Sequence, residues 1–214
     1  MAEVHTIEAR THGRYLVEAP PAGGPWPWIV GFHGYGENAA VHLEALRAVV
    51  GGRPWLMVSV QGLNRFYTRQ DGIVAGWMTR EDREHAIADN IAYVSAVLEA
   101  VTRRYPVRRP LVLAGFSQGV AMAYRTAAAV EGCDGIVALA GDVPPDVVPT
   151  AARLPPVLIG RGTGDAWYTE AKAEADLQIL RRSGVATAVE VFEAGHVWTP
   201  EFSVRAGAWL DALG

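Results

Sequence analysis

Short apolar runs interleaved with helical patterns constrain this chain more than any other feature. "WIVGF" (28–32), "WLMVSV" (55–60), "PLVLAGF" (110–116), "GIVALAG" (135–141) and "PPVLIG" (155–160) are strand-length and rich in valine, isoleucine and leucine. Continuous rather than alternating apolar character marks strands covered on both faces. Helical patterns occupy about 39–50, 80–104, 117–130, 168–184 and 200–213; in the longest, Ile87, Ile91, Val94 and Leu98 share one face. Thr79 is the expected N-cap of that helix, with acidic residues in its first turn. "TAVEVFEA" (187–194) alternates as a further strand, and "HTIEA" (5–9) with "RYLVEAP" (14–20) is expected to form an N-terminal antiparallel hairpin around "RTHG". "APPAGGPWPW", "QGLNRFYTRQDGIVAGWM" and "DVPPDVVPTAARLPP" read as loops. The expectation is an α/β fold, a mostly parallel central sheet with helices on both faces. Ligands bind such sheets beyond the C-terminal ends of the strands.

The chain has 214 residues, half of them hydrophobic, enough for one domain over 1–214 burying roughly 70% of its unfolded surface. Its one cysteine, Cys133, has no internal partner, which points to a reducing compartment. "MAEVHTIEAR" lacks the apolar core of a secretory signal, and the uncharged stretch 110–124 falls short of the ~20 apolar residues of a membrane span. A cytoplasmic protein without stable membrane insertion is expected. A net charge of −4 argues against nucleic acid as a partner. The arginines of "RRYPVRRP" (103–110) read as cations closing a helix before a solvated loop, with a phosphate-binding patch as the alternative.

"GFSQG" places Ser117 between Gly115 and Gly119, where a strand passes into a helix. That is the setting of a nucleophile elbow, although a tight glycine turn needs the same residues. A serine hydroxyl needs a base, and the base needs an orienting acid. Of six histidines, His5 and His12 fall in the N-terminal segment, His42 and His85 within helices, and His33 in a loop it is expected to shape. His196 in "EAGHVW" follows a strand and precedes the last helix, the place of the late histidine in a Ser…Asp…His order. Asp165 in "RGTGDAW" is the stronger acid candidate and Asp142 in "AGDVPP" its rival; Asp134 and Asp146 read as turn residues. An oxyanion hole would use the backbone N–H groups of Gln118 and of Tyr35 in "HGYGEN". Among the aromatic residues near these loops, Trp77 and Trp198 are candidates for an apolar substrate pocket.

"HGYGEN", "GFSQG", "GTGDAWY" and "GHVWTPEF", spread in this order over most of the chain, resemble the phospholipase/carboxylesterase family of α/β hydrolases. The resemblance implies the α/β-hydrolase fold and a cofactor-free serine hydrolase. The triad would be Ser117, Asp165 and His196, with an oxyanion hole at Tyr35 and Gln118. It implies a small-molecule ester as substrate, thioesters and lysophospholipids being further possibilities within the family. Tyr35 stands where leucine is common, and "GTGDAWYTEA" departs from the usual G-D-x-D-x-x-V around the acid.

Two other functions remain open: a serine peptidase or acyltransferase on the same scaffold, and a ligand-binding relative without catalysis. A dienelactone-type hydrolase would need a cysteine nucleophile, and Cys133 lies outside any elbow.

Overall fold

The computed structural model describes residues 1–21 and 23–213. Ala22, within the expected Pro/Gly-rich loop, and Gly214, the last residue of the expected domain, lie outside the described residues. In chain order the strands are β1 (Arg14–Glu18), β2 (Trp26–Phe32), β3 (Leu56–Gln61), β4 (Asn64–Tyr67), β5 (Ile73–Gly76), β6 (Val107–Phe116), β7 (Cys133–Leu139), β8 (Val157–Gly162) and β9 (Thr187–Phe192). The helices are α1 (Ala39–Val50), α2 (Arg83–Arg104), α3 (Gln118–Ala129), α4 (Glu170–Arg182) and α5 (Pro200–Asp211), with a short 3₁₀ segment at Val148–Arg153.

Seven strands form one sheet in the order β1-β3-β2-β6-β7-β8-β9. Every neighbouring pair is parallel except β1 with β3. The five continuous apolar runs are the five central strands, and Ile29, Val58, Val112, Leu113, Val137 and Ile159 are all buried there. Helices cover both faces, α1 packing on α5 and α2 on α3. The order is a double winding: after β2 the chain moves outward to β3, then returns to lay β6 on the other side of β2. The crevice of such a sheet opens where the winding reverses. Here that is beyond Phe32 and Phe116, the last residues of β2 and β6.

Three local expectations change. The N-terminal antiparallel pair is present, but β1 makes it with β3. Residues 5–9 carry no strand, and Val4 and Ile7 stay exposed with no core to enter. The loop 61–78 contains the hairpin β4–β5, in register from Asn64↔Gly76 to Tyr67↔Ile73. Its turn is closed by the Thr68 hydroxyl, which accepts from the Gly72 N–H at 3.0 Å. Helix α2 starts at Arg83 rather than Arg80; the Thr79 hydroxyl accepts from the Glu81 N–H at 3.2 Å, making a turn ahead of the helix.

Asp134, expected in a turn, lies in β7 and pairs with Arg109, while Asp146 does sit in a turn and pairs there with Arg125. The first leaves the 107–110 stretch as the beginning of β6, not a solvated loop.

Candidate active site

Ser117 follows the end of β6 and caps the start of α3 with φ 52° and ψ −118°. A non-glycine residue held there costs on the order of 1–3 kcal/mol and persists only where its surroundings over-determine it. The Ser117 N–H is tied to the Leu139 carbonyl of β7 at 2.9 Å. A Cβ on Gly119 would lie 2.0 Å from the Phe32 carbonyl oxygen, and one on Gly115 would lie 2.5 Å from that of Gly119. Both glycines are therefore required by backbone approach around the strained serine. The N-terminus of α3 points its unpaired N–H groups at the same spot, which favours negative charge there.

His196, between β9 and α5, places Nε2 2.8 Å from Ser117 Oγ and Nδ1 2.7 Å from Asp165 Oδ2. The carboxylate can only accept, so it selects the tautomer with the proton on Nδ1 and leaves Nε2 to accept from the serine hydroxyl. The Asp165 side chain is 0% exposed. Its Oδ1 accepts from the N–H groups of Trp167 at 2.7 Å and Tyr168 at 2.9 Å. Burial alone would raise the Asp165 pKa; the Tyr168 N–H, His196 and the Trp167 N–H outweigh it and hold the group below the usual carboxylate range. Asp142 stands apart from this chain of hydrogen bonds and meets Lys172 Nζ at 3.3 Å.

The "HGYGEN" loop is held around the Tyr35 amide. The Gly34 N–H donates to Glu37 Oε2 at 2.8 Å, the Gly36 N–H to the Ala75 carbonyl at 3.0 Å, and the Glu37 N–H to the Gly34 carbonyl at 3.2 Å. Among the described residues, neither the Tyr35 nor the Gln118 N–H donates to a protein acceptor. The Glu37 pKa is raised by burial, only partly countered by the Gly34 N–H and by His196. His33 is a wedge beneath the loop: Nε2 accepts from the Gly62 N–H at 2.9 Å and Nδ1 lies 2.7 Å from the Gly34 carbonyl. Burial pushes its pKa down, keeping the ring neutral for both bonds.

The two tryptophans expected at the substrate pocket sit elsewhere. Trp77 is 0% exposed and donates its indole N–H to the His33 carbonyl at 2.9 Å, so it supports the loop from below. Trp198 packs edge-on against His42, Phe116 and Phe202 and donates to Ser203 Oγ at 2.9 Å. Neither lines the cavity of about 500 Å³ that opens at Ser117 and His196; Met78, Pro144, Pro145 and Trp167 supply its apolar walls. Gln118 joins that cavity to the elbow. Its Oε1 accepts from the Trp77 N–H at 2.7 Å and its Nε2 donates to the Met78 carbonyl at 2.9 Å.

No family profile and no curated protein sequence matches this chain. Solved structures do. The esterase PE8 is similar at a TM-score of 0.76 and 22% identity, covering 94% of this chain and 99% of its own. A Bacillus cereus carboxylesterase is similar at 0.75 and 19%, covering 94% and 95%. Acyl-protein thioesterase 2 of Zea mays is similar at 0.72 and 21%, covering 95% and 100%. The chain has the α/β-hydrolase fold that these esterases and the thioesterase share. Such neighbours are consistent with the phospholipase/carboxylesterase family that the motifs resemble. Among the described residues, no helix is long and apolar enough to cross a membrane.

Proposed function

We propose that this chain, one domain over residues 1–214, is a serine carboxylesterase that hydrolyses small acyl esters through an acyl-enzyme. The observation that carries the reading is the continuous hydrogen-bond chain Ser117–His196–Asp165 at 2.8 and 2.7 Å, ending on a buried carboxylate. Ser117 Oγ attacks the ester carbonyl carbon as its proton passes to His196 Nε2. The carbonyl π electrons move onto oxygen, where the Tyr35 and Gln118 N–H groups donate to the oxyanion. Collapse breaks the bond to the alcohol oxygen, which leaves with the proton from His196. Water then attacks the acyl-enzyme, giving its proton to His196, and collapse returns that proton to Ser117 as the acid departs. Asp165 stays ionised throughout and balances the transient imidazolium.

No step calls for a cofactor, and the free Cys133 thiol, its pKa pushed up to about 12 by burial, takes no part. A reducing, cytoplasmic setting suits that thiol.

Labelling with a fluorophosphonate and turnover of p-nitrophenyl esters test the reading. Both are expected in the wild type and absent in folded Ser117→Ala, where loss of a triad serine costs on the order of a millionfold. Wild-type turnover by that variant would refute the mechanism. Amino-acid p-nitroanilides, assayed in parallel, test the peptidase alternative.

A further inference from the structure

We infer that the cavity at Ser117 takes esters carrying a carboxylate remote from the scissile bond, with Arg80 and Arg83 as its receptor. The inference rests on the serine-esterase reading and adds a substrate class to it.

The lining of the cavity is unevenly charged. Besides Ser117 and His196 it includes Arg80, Arg83, Arg125 and Lys172. Arg125 is almost wholly buried and grips Asp146 through Nε at 2.7 Å and Nη2 at 2.8 Å. Arg83 reaches only that same carboxylate, at 3.8 Å, after Arg125 has occupied both its oxygens. Lys172 is matched by Asp142 at 3.3 Å. Arg80 meets no carboxylate within ion-pair distance among the described residues. Among the described residues, Arg80 is thus unpaired and Arg83 only weakly paired with a shared carboxylate, both around one cavity in a chain whose net charge is −4.

Helix geometry makes their position more telling. Arg83 is the first residue of α2 and Arg80 lies in the turn leading to it. The N-terminal end of a helix favours anions, so cations there are misplaced by the chain's own energetics. A bound carboxylate would reverse that: it would gain both guanidinium groups, which match a carboxylate fork by fork. Asp142 in the lining, and Asp146 behind Arg83 and Arg125, favour a single negative charge over a phosphate dianion. Arg83 is half exposed, so solvent and salt should screen the attraction.

The test compares p-nitrophenyl hydrogen adipate and hydrogen pimelate with the neutral p-nitrophenyl heptanoate, each corrected for spontaneous hydrolysis. The readout is the ratio of kcat/KM, anionic over neutral, in wild type, Arg80→Gln, Arg83→Gln and the double variant, all checked for native melting. The wild-type ratio should exceed one by about tenfold at low salt, mainly through KM, and fall toward one in added sodium chloride. Each single variant should lower it and the double variant should bring it near one; the single variants carry the test if the double variant does not fold. A wild-type ratio at or below one overturns the inference, as does an unchanged ratio in the folded variants, while turnover of the neutral ester leaves the serine-esterase reading standing. Hydrolysis of none of the esters overturns both together.

Discussion

Replacing Asp165 by asparagine should cost about three to four powers of ten in kcat, and the geometry says why. Oδ1 is held by two backbone donors, Trp167 N–H at 2.7 Å and Tyr168 N–H at 2.9 Å, while Oδ2 faces His196 Nδ1 at 2.7 Å. An asparagine keeps its oxygen toward the two N–H groups, because turning its NH₂ to them would lose both bonds and set donor against donor. Its NH₂ then faces His196 Nδ1 and draws the ring into the tautomer with the proton on Nε2. That proton points at Ser117 Oγ, where the mechanism requires an acceptor. In the trypsin-like template this tautomer error lowers kcat by about 10⁴, or roughly 5.5 kcal/mol at 1.36 kcal/mol per power of ten. Asp142→Asn disturbs only the exposed contact with Lys172, so less than about tenfold is expected on a neutral ester. The assay is kcat of both purified variants on p-nitrophenyl butyrate, with thermal melts to show that each is folded. Retention of more than a tenth of wild-type turnover by folded Asp165→Asn, or the reverse ranking, would refute the reasoning.

Glu37 accepts from the Gly34 N–H of the loop proposed to supply an oxyanion donor, so Glu37→Ala should lower kcat by about tenfold to a hundredfold with KM little changed. Glu37→Gln, which can still accept from that N–H, should keep most of the activity; equal losses in the two variants would point to a role for the charge instead. Asp176 on α4 is pushed up to about 6 by burial, against the lowering effect of the Val143 N–H and the Tyr168 hydroxyl that donate to its Oδ2. The folded protein therefore binds a proton there more tightly than the unfolded chain, and this site's contribution to stability falls as pH rises from about 4 through about 6. Asp176→Asn should gain on wild type across that window, by up to about 2–3 kcal/mol, in chemical denaturation at a series of pH values. A wild-type-minus-variant difference that is flat with pH would contradict the raised value.

The main frame was legible because it depends on periodicity and chain order, which are sequence properties. Five buried strand runs matched the five central strands, and the order Ser117, Asp165, His196 placed three loops at one end of the sheet. The hairpin β4–β5 was harder to see because its strands are four residues each and mostly exposed, so they lack an apolar run. The signal was Asp71-Gly72, with Asp71 at φ 59°, the residue pair that turns of this kind favour. Trp77 and Trp198 were misplaced for a different reason. Both adjoin site residues in the sequence, but whether a side chain faces a cavity or its floor depends on partners far along the chain. The His33 carbonyl fixes Trp77, forty-four positions away. Arg80 and Arg83 escaped notice similarly: among the described residues Arg80 has no carboxylate partner, and the weakness of the Arg83 pair appears only once Arg125 is seen to occupy Asp146.

Gln118 shows how closely the sequence beside Ser117, the proposed nucleophile, is tied to the distant wall. The elbow itself needs only a backbone N–H at this position, which almost any residue could provide. Its side chain spans forty-one positions to accept from the Trp77 N–H and forty to donate to the Met78 carbonyl. Those two residues end the β4–β5 excursion and begin the segment that carries Arg80 to the cavity. Hydrogen bonding by both ends of one amide fixes that strand end in direction as well as distance, which a hydroxyl or a methyl could not do. The inferred carboxylate receptor is thereby positioned from the elbow, two links away from Ser117. A substitution of Gln118 should then disturb discrimination between anionic and neutral esters as well as turnover, whereas a glutamine serving the oxyanion hole alone would affect both esters alike.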